Sequence, residues 1–149
     1  MIGLALIDSN NVLAINGKII DGPKSDKAWL LEQVKGKTVL VGARTFEQDL
    51  IHYKSFMLAV KQVVVFGRNY CSVDEVIAKL PDIDYSLGGG ETFNRFPPEK
   101  YVIHQLHNAI DTYNCSVVSL ILPENYFIGF CQKGPEYNEL LYVRKTDVE

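Results

Sequence analysis

A single α/β domain is expected for this chain, residues 1–149, with a predominantly parallel central sheet of about eight strands, flanking helices and a C-terminal antiparallel strand pair. Short, nearly continuous apolar runs such as Ile2–Ile7 and residues 38–41 alternate with helix-forming stretches, the pattern of strands buried on both faces. Past residue 106 the helix signals fade, and residues 126–132 and 139–144 flank Lys133, Gly134 and Pro135, a turn between paired strands. The chain is 47% hydrophobic and 22% charged, and long enough to bury about two thirds of its unfolded surface without disulfides or metal.

The strand at Ile2–Ile7 is closed by Asp8, Ser9, Asn10 and Asn11, all turn formers. Residues 12–23 show no clean period, and Gly17, Gly22 and Pro23 interrupt them, so a long functional loop is expected there. Ser25 is placed to cap a helix running to about Lys35, with Gly36 as its stop and Asp26, Trp29, Leu30, Gln33 and Val34 as its inward stripe. A second strand at 38–41 ends at Gly42, a short helix follows at 43–50, and a third strand at 61–66 leads to Gly67, Arg68 and Asn69. Ser72 and Glu75 match the capping box of a helix that Pro81 stops after Leu80. Further strands are expected at 83–87, 101–106, 117–122, 126–132 and 139–144.

A net charge of -3 with no basic stripe excludes a nucleic-acid partner from the expectation. The opening apolar run lacks a basic flank and ends at Asp8, too short for a signal peptide or membrane span, so a cytoplasmic protein without a membrane partner is expected. Cys71, Cys115 and Cys131 fit free thiols in a reducing compartment. His104 and His107 are three apart on a strand and point to opposite faces, which argues against zinc. Gly36-Lys37-Thr38 imitates the end of a P-loop, but Leu31 stands where its first glycine belongs.

The strongest chemical signal is Leu87-Gly88-Gly89-Gly90-Glu91-Thr92-Phe93, where a strand gives way to a helical turn at 91–96. Without Cβ atoms the backbone can adopt φ > 0 and let another molecule approach its peptide groups. Free N–H groups at a helix start suit a phosphate; the alternative is a tight turn with no ligand. Phe93 occupies the third glycine position of the dinucleotide fingerprint, so a standard Rossmann site is not expected. Arg44 and Arg68 each follow a strand end, where two guanidinium forks could hold phosphate or could be solvated surface arginines. Asp26 could be a first-turn acid favoured by the helix dipole or, beside Trp29 and Leu30, a cleft carboxylate suited to proton handling. His104 shares a face with Val102 and Leu106 and could be a hydrogen-bonded core histidine or part of a pocket wall.

Asp26-Lys27-Ala28-Trp29-Leu30, Val41-Gly42-Ala43-Arg44-Thr45-Phe46-Glu47, Val63-Val64-Val65-Phe66-Gly67-Arg68-Asn69 and Gly88-Gly89-Gly90 resemble dihydrofolate reductase in order and spacing. The resemblance runs from Met1 to about Leu106; beyond it only the strand count agrees. It implies a monomer, without a metal ion, that reduces 7,8-dihydrofolate to tetrahydrofolate with NADPH. Asp26 would be the catalytic acid contacting the pterin, with Ala5, Leu6, Ile20, Leu30, Leu87, Phe93 and His104 lining the substrate slot. NADPH would be held by Gly42, Ala43, Arg44, Thr45, Gly67, Arg68, Gly88, Gly89, Gly90, Glu91 and Thr92. Among these, Arg44 and Arg68 would meet the phosphates, including the one on the adenosine ribose, and Thr45 would sit near the nicotinamide and pyrophosphate. Gly88 and Gly89 would form the unusual peptide of this turn, with Gly90, Glu91 and Thr92 cradling pyrophosphate and Phe93 replacing the usual tyrosine.

The chain departs from the family pattern at four places. Ile20-Asp21 replaces a Pro-Trp pair, Ala43 replaces the first cofactor arginine, His104 replaces a threonine behind the acid, and no arginine for the folate tail occurs among residues 56–61 unless Lys61 serves. These departures fit an active reductase insensitive to antifolates, or a drifted nucleotide-binding or structural protein with the same fold. A riboflavin-pathway reductase shares the fold class.

Overall fold

In the computed structural model, which describes residues 1–145, the chain runs through β1 (Ile2–Ile7), β2 (Val12–Ile15), β3 (Lys18–Ile19), α1 (Lys24–Val34), β4 (Thr38–Gly42), α2 (Ala43–Gln48), α3 (Lys54–Ala59) and β5 (Gln62–Phe66). It continues through α4 (Val73–Lys79), β6 (Tyr85–Ser86), α5 (Gly90–Arg95), β7 (Lys100–Leu106), β8 (Val117–Ser119), β9 (Tyr126–Gln132) and β10 (Tyr137–Arg144). Seven strands form one mixed sheet in the order β5-β4-β6-β1-β7-β10-β9. The first five pair in parallel, and β10 and β9 are added antiparallel.

The continuous apolar runs follow from burial on both sides of this sheet. Successive side chains on a strand point to opposite faces. Val39 and Val41 of β4 accordingly pack with Leu4, Val34, Phe56 and Val65 on the side of α1 and α3, while Leu40 packs with Val64, Val76, Ile83 and Phe96 on the side of α4. A third cluster, with Phe93, Tyr101, Ile103, Tyr126 and Leu140, fills the space where the antiparallel strands join. The Ser72 capping box forms as expected: Ser72 Oγ accepts from the Glu75 amide at 3.2 Å, and Glu75 Oε1 accepts from the Ser72 amide at 3.2 Å. No helix among the described residues is long and apolar enough to cross a membrane.

The structure corrects the sequence expectation in several places. The central sheet has seven strands, against about eight expected, and residues 12–23 are not an irregular loop. They contain the β2–β3 hairpin, which pairs with β8 in a separate three-stranded antiparallel sheet. The strand expected at 117–122 is therefore short and outside the central sheet. Ser25 does not cap α1: the helix begins at Lys24 behind Pro23, which fixes φ at the helix entrance without a side-chain bond, and Ser25 Oγ instead donates to Glu136 at 3.0 Å. Helix α3 was not expected, since six residues carry too little periodicity to register.

Asp8 shows how the turn after β1 is held. Its Oδ1 accepts from the amides of Asn10 and Val12 at 2.8 and 2.9 Å, and its Oδ2 from the amide of Ile110 at 2.9 Å. Burial would push this carboxyl up, but the amides of Ile110, Val12 and Asn10 together outweigh it and hold it below its ordinary range.

Candidate functional site

A cleft of about 1120 Å³ opens at the carboxyl ends of the parallel strands, the position where open α/β sheets receive ligands. Leu4, Ala5 and Leu6 of β1 lie between its two halves. On one side stand Ile20, Gly22, Asp26 and Leu30; on the other stand Gly42, Ala43, Arg44, Thr45, Gly67, Arg68, Leu87, Gly89, Gly90, Glu91 and Thr92. Sixteen of the nineteen residues singled out in the sequence thus meet on one continuous surface: Ala5, Leu6, Ile20, Asp26, Leu30 and Leu87 with the ten just given from Gly42 to Thr92.

The remaining three are Gly88, Phe93 and His104, which lie behind the lining. Gly88 has φ +82, and a Cβ there would come 2.6 Å from the Phe93 ring, so glycine is required both by conformation and by contact. Phe93 is buried under the turn and is not a cleft wall, which corrects its assignment to the substrate slot. The Gly88–Gly89 peptide is cis. Helix α5 has six residues, so its dipole adds little and the glycine turn offers mainly approachable backbone.

Opposite this turn, the ends of β4 and β5 touch closely enough to exclude larger side chains. A Cβ on Gly67 would lie 2.5 Å from that of Ala43. This contact explains why glycine occupies position 67, and it places Arg44 and Arg68, both exposed, on adjoining turns at the cleft edge. Lys61, considered for a substrate tail, sits at the other end of β5, where its amide bonds the Lys37 carbonyl, and it does not line the cleft.

Asp26 lies in the first turn of α1 with only 12% of its side chain exposed. Gly22 permits this, since a Cβ there would be 3.0 Å from Asp26 Oδ2 and 2.7 Å from Leu6 Cδ2. Asp26 Oδ1 is 2.7 Å from His104 Nδ1, and His104 Nε2 is 3.0 Å from Glu139 Oε1. Of the two alternatives for His104 the hydrogen-bonded core histidine is the one found: it stands directly behind the cleft carboxylate and is not a lining residue, which corrects its assignment to the substrate slot. Trp29 and Tyr137 hold the imidazole between them, with ring centroids 4.1 and 4.0 Å away.

Glu139 and Tyr137 were missed by sequence reasoning. Glu139 is the register partner of His104 across the β7–β10 pair, and Tyr137 is two residues before it on the same face. An acid directly before the apolar run at residues 140–143 was the available signal. Burial, then the carboxylates of Asp26 and Glu139, push the Tyr137 hydroxyl up; its hydrogen bond with Ser25 acts the other way, and Glu136 adds to the rise. Tyr137 is therefore a neutral ring over His104 near pH 7. Among the described residues no group of three or more His, Cys, Asp and Glu side chains is arranged to hold a metal ion.

Comparison of the sequence with protein-family models and with curated proteins finds no match to either.

Proposed function

We propose that the protein reduces 7,8-dihydrofolate, or a closely related dihydropterin, with NADPH. The observation that carries this reading is the continuity of one cleft from a recessed carboxylate, Asp26, to the glycine turn and the two arginines. A ligand with a small polar heterocycle at one end and phosphates at the other matches that distribution of chemistry.

The residues present fit such a dinucleotide. Gly89 and Gly90 leave their peptide groups open to a pyrophosphate, and Arg44 and Arg68 supply two planar forks for phosphate oxygens. A bound reduced nicotinamide would supply the hydride. Asp26 would hold the pterin through its amino and ring nitrogens and favour the form protonated at N5. Leu6, Ile20 and Leu30 would exclude water around the ring. The tilt of chemistry toward this end comes from position: Asp26 is the carboxylate that α1 and Gly22 press into the cleft wall.

The test is NADPH oxidation by the purified protein with and without dihydrofolate, paired with thermal melts in NADPH and NADH. Dihydrofolate-dependent oxidation is expected. Stabilisation by NADPH without turnover would instead leave a nucleotide-binding protein, and neither response would remove the cofactor assignment.

A further inference from the structure

The geometry points to His104 and Glu139 as positioning residues that keep a transferable proton on the hydrogen bond to Asp26; the catalytic use of that proton rests on the reductase reading above. The imidazole is 1% exposed, and each ring nitrogen faces one carboxylate oxygen, Asp26 Oδ1 at 2.7 Å and Glu139 Oε1 at 3.0 Å. Tyr137 stacks on the ring and Trp29 packs against it at a tilt, which restricts its orientation. A neutral imidazole carries one N–H, and an ionised carboxylate carries none.

Each of the two contacts needs one proton between its heavy atoms. Three arrangements satisfy both. The first is an imidazolium between two carboxylates; the second, an Nε2–H imidazole accepting from protonated Asp26; the third, an Nδ1–H imidazole accepting from protonated Glu139. All three hold two protons and carry one net negative charge. Removing a proton sets lone pair against lone pair in a buried contact, so the network retains its second proton.

Solvent access then decides where that proton resides. The Glu139 side chain is 35% exposed and that of Asp26 12%, so negative charge is carried at lower cost on Glu139. This selects the two arrangements with Nε2–H donated to Glu139, and both place a proton between His104 Nδ1 and Asp26. The groups facing the imidazole are Asp26 and Trp29 from α1 and Glu139 and Tyr137 from β10. Glu136 accepts from Ser25 Oγ at 3.0 Å and raises Tyr137, whose hydroxyl stays neutral. In the reaction, the Asp26 O–H turns from Nδ1 toward the cleft, and its bond breaks as N–H forms on the substrate. The remaining carboxylate then faces the bare Nδ1, and a proton from cleft water restores the O–H bond.

Glu139→Gln separates this role from a structural one. Its amide can donate to Nε2 without carrying charge, so an Nδ1–H imidazole beside ionised Asp26 becomes fully bonded and the second proton is no longer retained. Nitrogen NMR of His104 in the ligand-free protein, from about pH 5 to about pH 9, reads this directly across the range in which histidine titrates. The wild type is expected to show Nε2 protonated through neutral pH, and Glu139→Gln a bare Nε2 with protonated Nδ1. Glu139→Asp should restore the wild-type pattern. In parallel, NADPH oxidation by Glu139→Gln should approach wild type in acid and be about tenfold slower at high pH. A bare Nε2 in the wild type, or identical nitrogen shifts in Glu139→Gln, would overturn the assignment. Protonated Nε2 in a wild type without turnover would support the proton placement and remove only the reductase reading.

Discussion

The amide of Gly42 donates to the carbonyl of Gly88 at 2.6 Å, tying the end of β4 to the turn before α5. A Cβ on Gly42 would lie 2.7 Å from the Oγ1 of buried Thr92. Gly42→Ala is expected to cost about 1 to 3 kcal/mol as overpacking, which lowers Tm by roughly 2 to 10 °C in a chain of this length. Thr92→Ala in the same molecule removes the obstructing oxygen and should recover most of the loss. Melts of the two single variants and the double variant check this, and purely additive losses would exclude the clash as the cause.

For cofactor choice, NADPH should raise Tm more than NADH. At about 100 times its dissociation constant a ligand adds roughly 2.7 kcal/mol. Arg44→Ala and Arg68→Ala should each weaken NADPH by about tenfold or more, in line with losing a charge-assisted hydrogen bond. Isothermal titration with both nucleotides measures the difference, and a change shared equally by NADPH and NADH would assign the arginine to the common phosphates.

Asp26→Asn keeps the shape of the side chain but removes the carboxyl group through which a proton reaches the substrate. NADPH oxidation at pH 7 should fall by roughly a hundredfold to ten-thousandfold, with partial recovery at low pH, where solvent protonates the substrate directly. Rate profiles against pH, run beside melts that show an intact fold, test this. An unchanged rate at pH 7 would end the catalytic assignment.

The Asp8 carboxyl is held below its unfolded value of about 3.9, so its contribution is fully present above that pH and is lost as pH falls through the folded value. Asp8→Asn places an amide donor among three backbone donors and is expected to destabilise by about 1 to 3 kcal/mol at pH 7. The gap from wild type should narrow below about pH 4. Urea unfolding at several pH values measures it, and a gap that stays constant into acid would assign the loss to shape instead of charge.

The arginines of the cleft lining are Arg44 and Arg68, both beside the glycine-turn end, and Lys27 at the other end is paired with Asp21 at 3.0 Å. Without a bidentate partner for a carboxylate tail, KM for dihydrofolate and for a dihydropterin lacking glutamate should differ by less than about tenfold. Steady-state kinetics on the pair decides the point; a much larger ratio would mean that the substrate lies differently in the cleft.

The parallel half of the sheet could be read from the sequence because Ile2–Ile7 and residues 38–41 are apolar throughout, which follows from burial on both faces. Most of the cleft lining could also be found, since glycines and arginines after strand ends mark the carboxyl edge of such a sheet. The β2–β3 hairpin could not, because its stabilising partner β8 is remote in sequence and its own strands are two to four residues long. Glu139 escaped for a related reason: its meaning depends on standing opposite His104, and cross-strand register is not written in local periodicity.

The pairing of β2 with β8 also determines when the cleft can exist. Val118 sits where a Cβ on Gly90 would approach it at 3.1 Å, and both line the cleft with Ala14, so one wall joins two strands that are far apart in the sequence. Closing so long a loop comes late in folding. The parallel core should therefore form before this wall of the cleft closes.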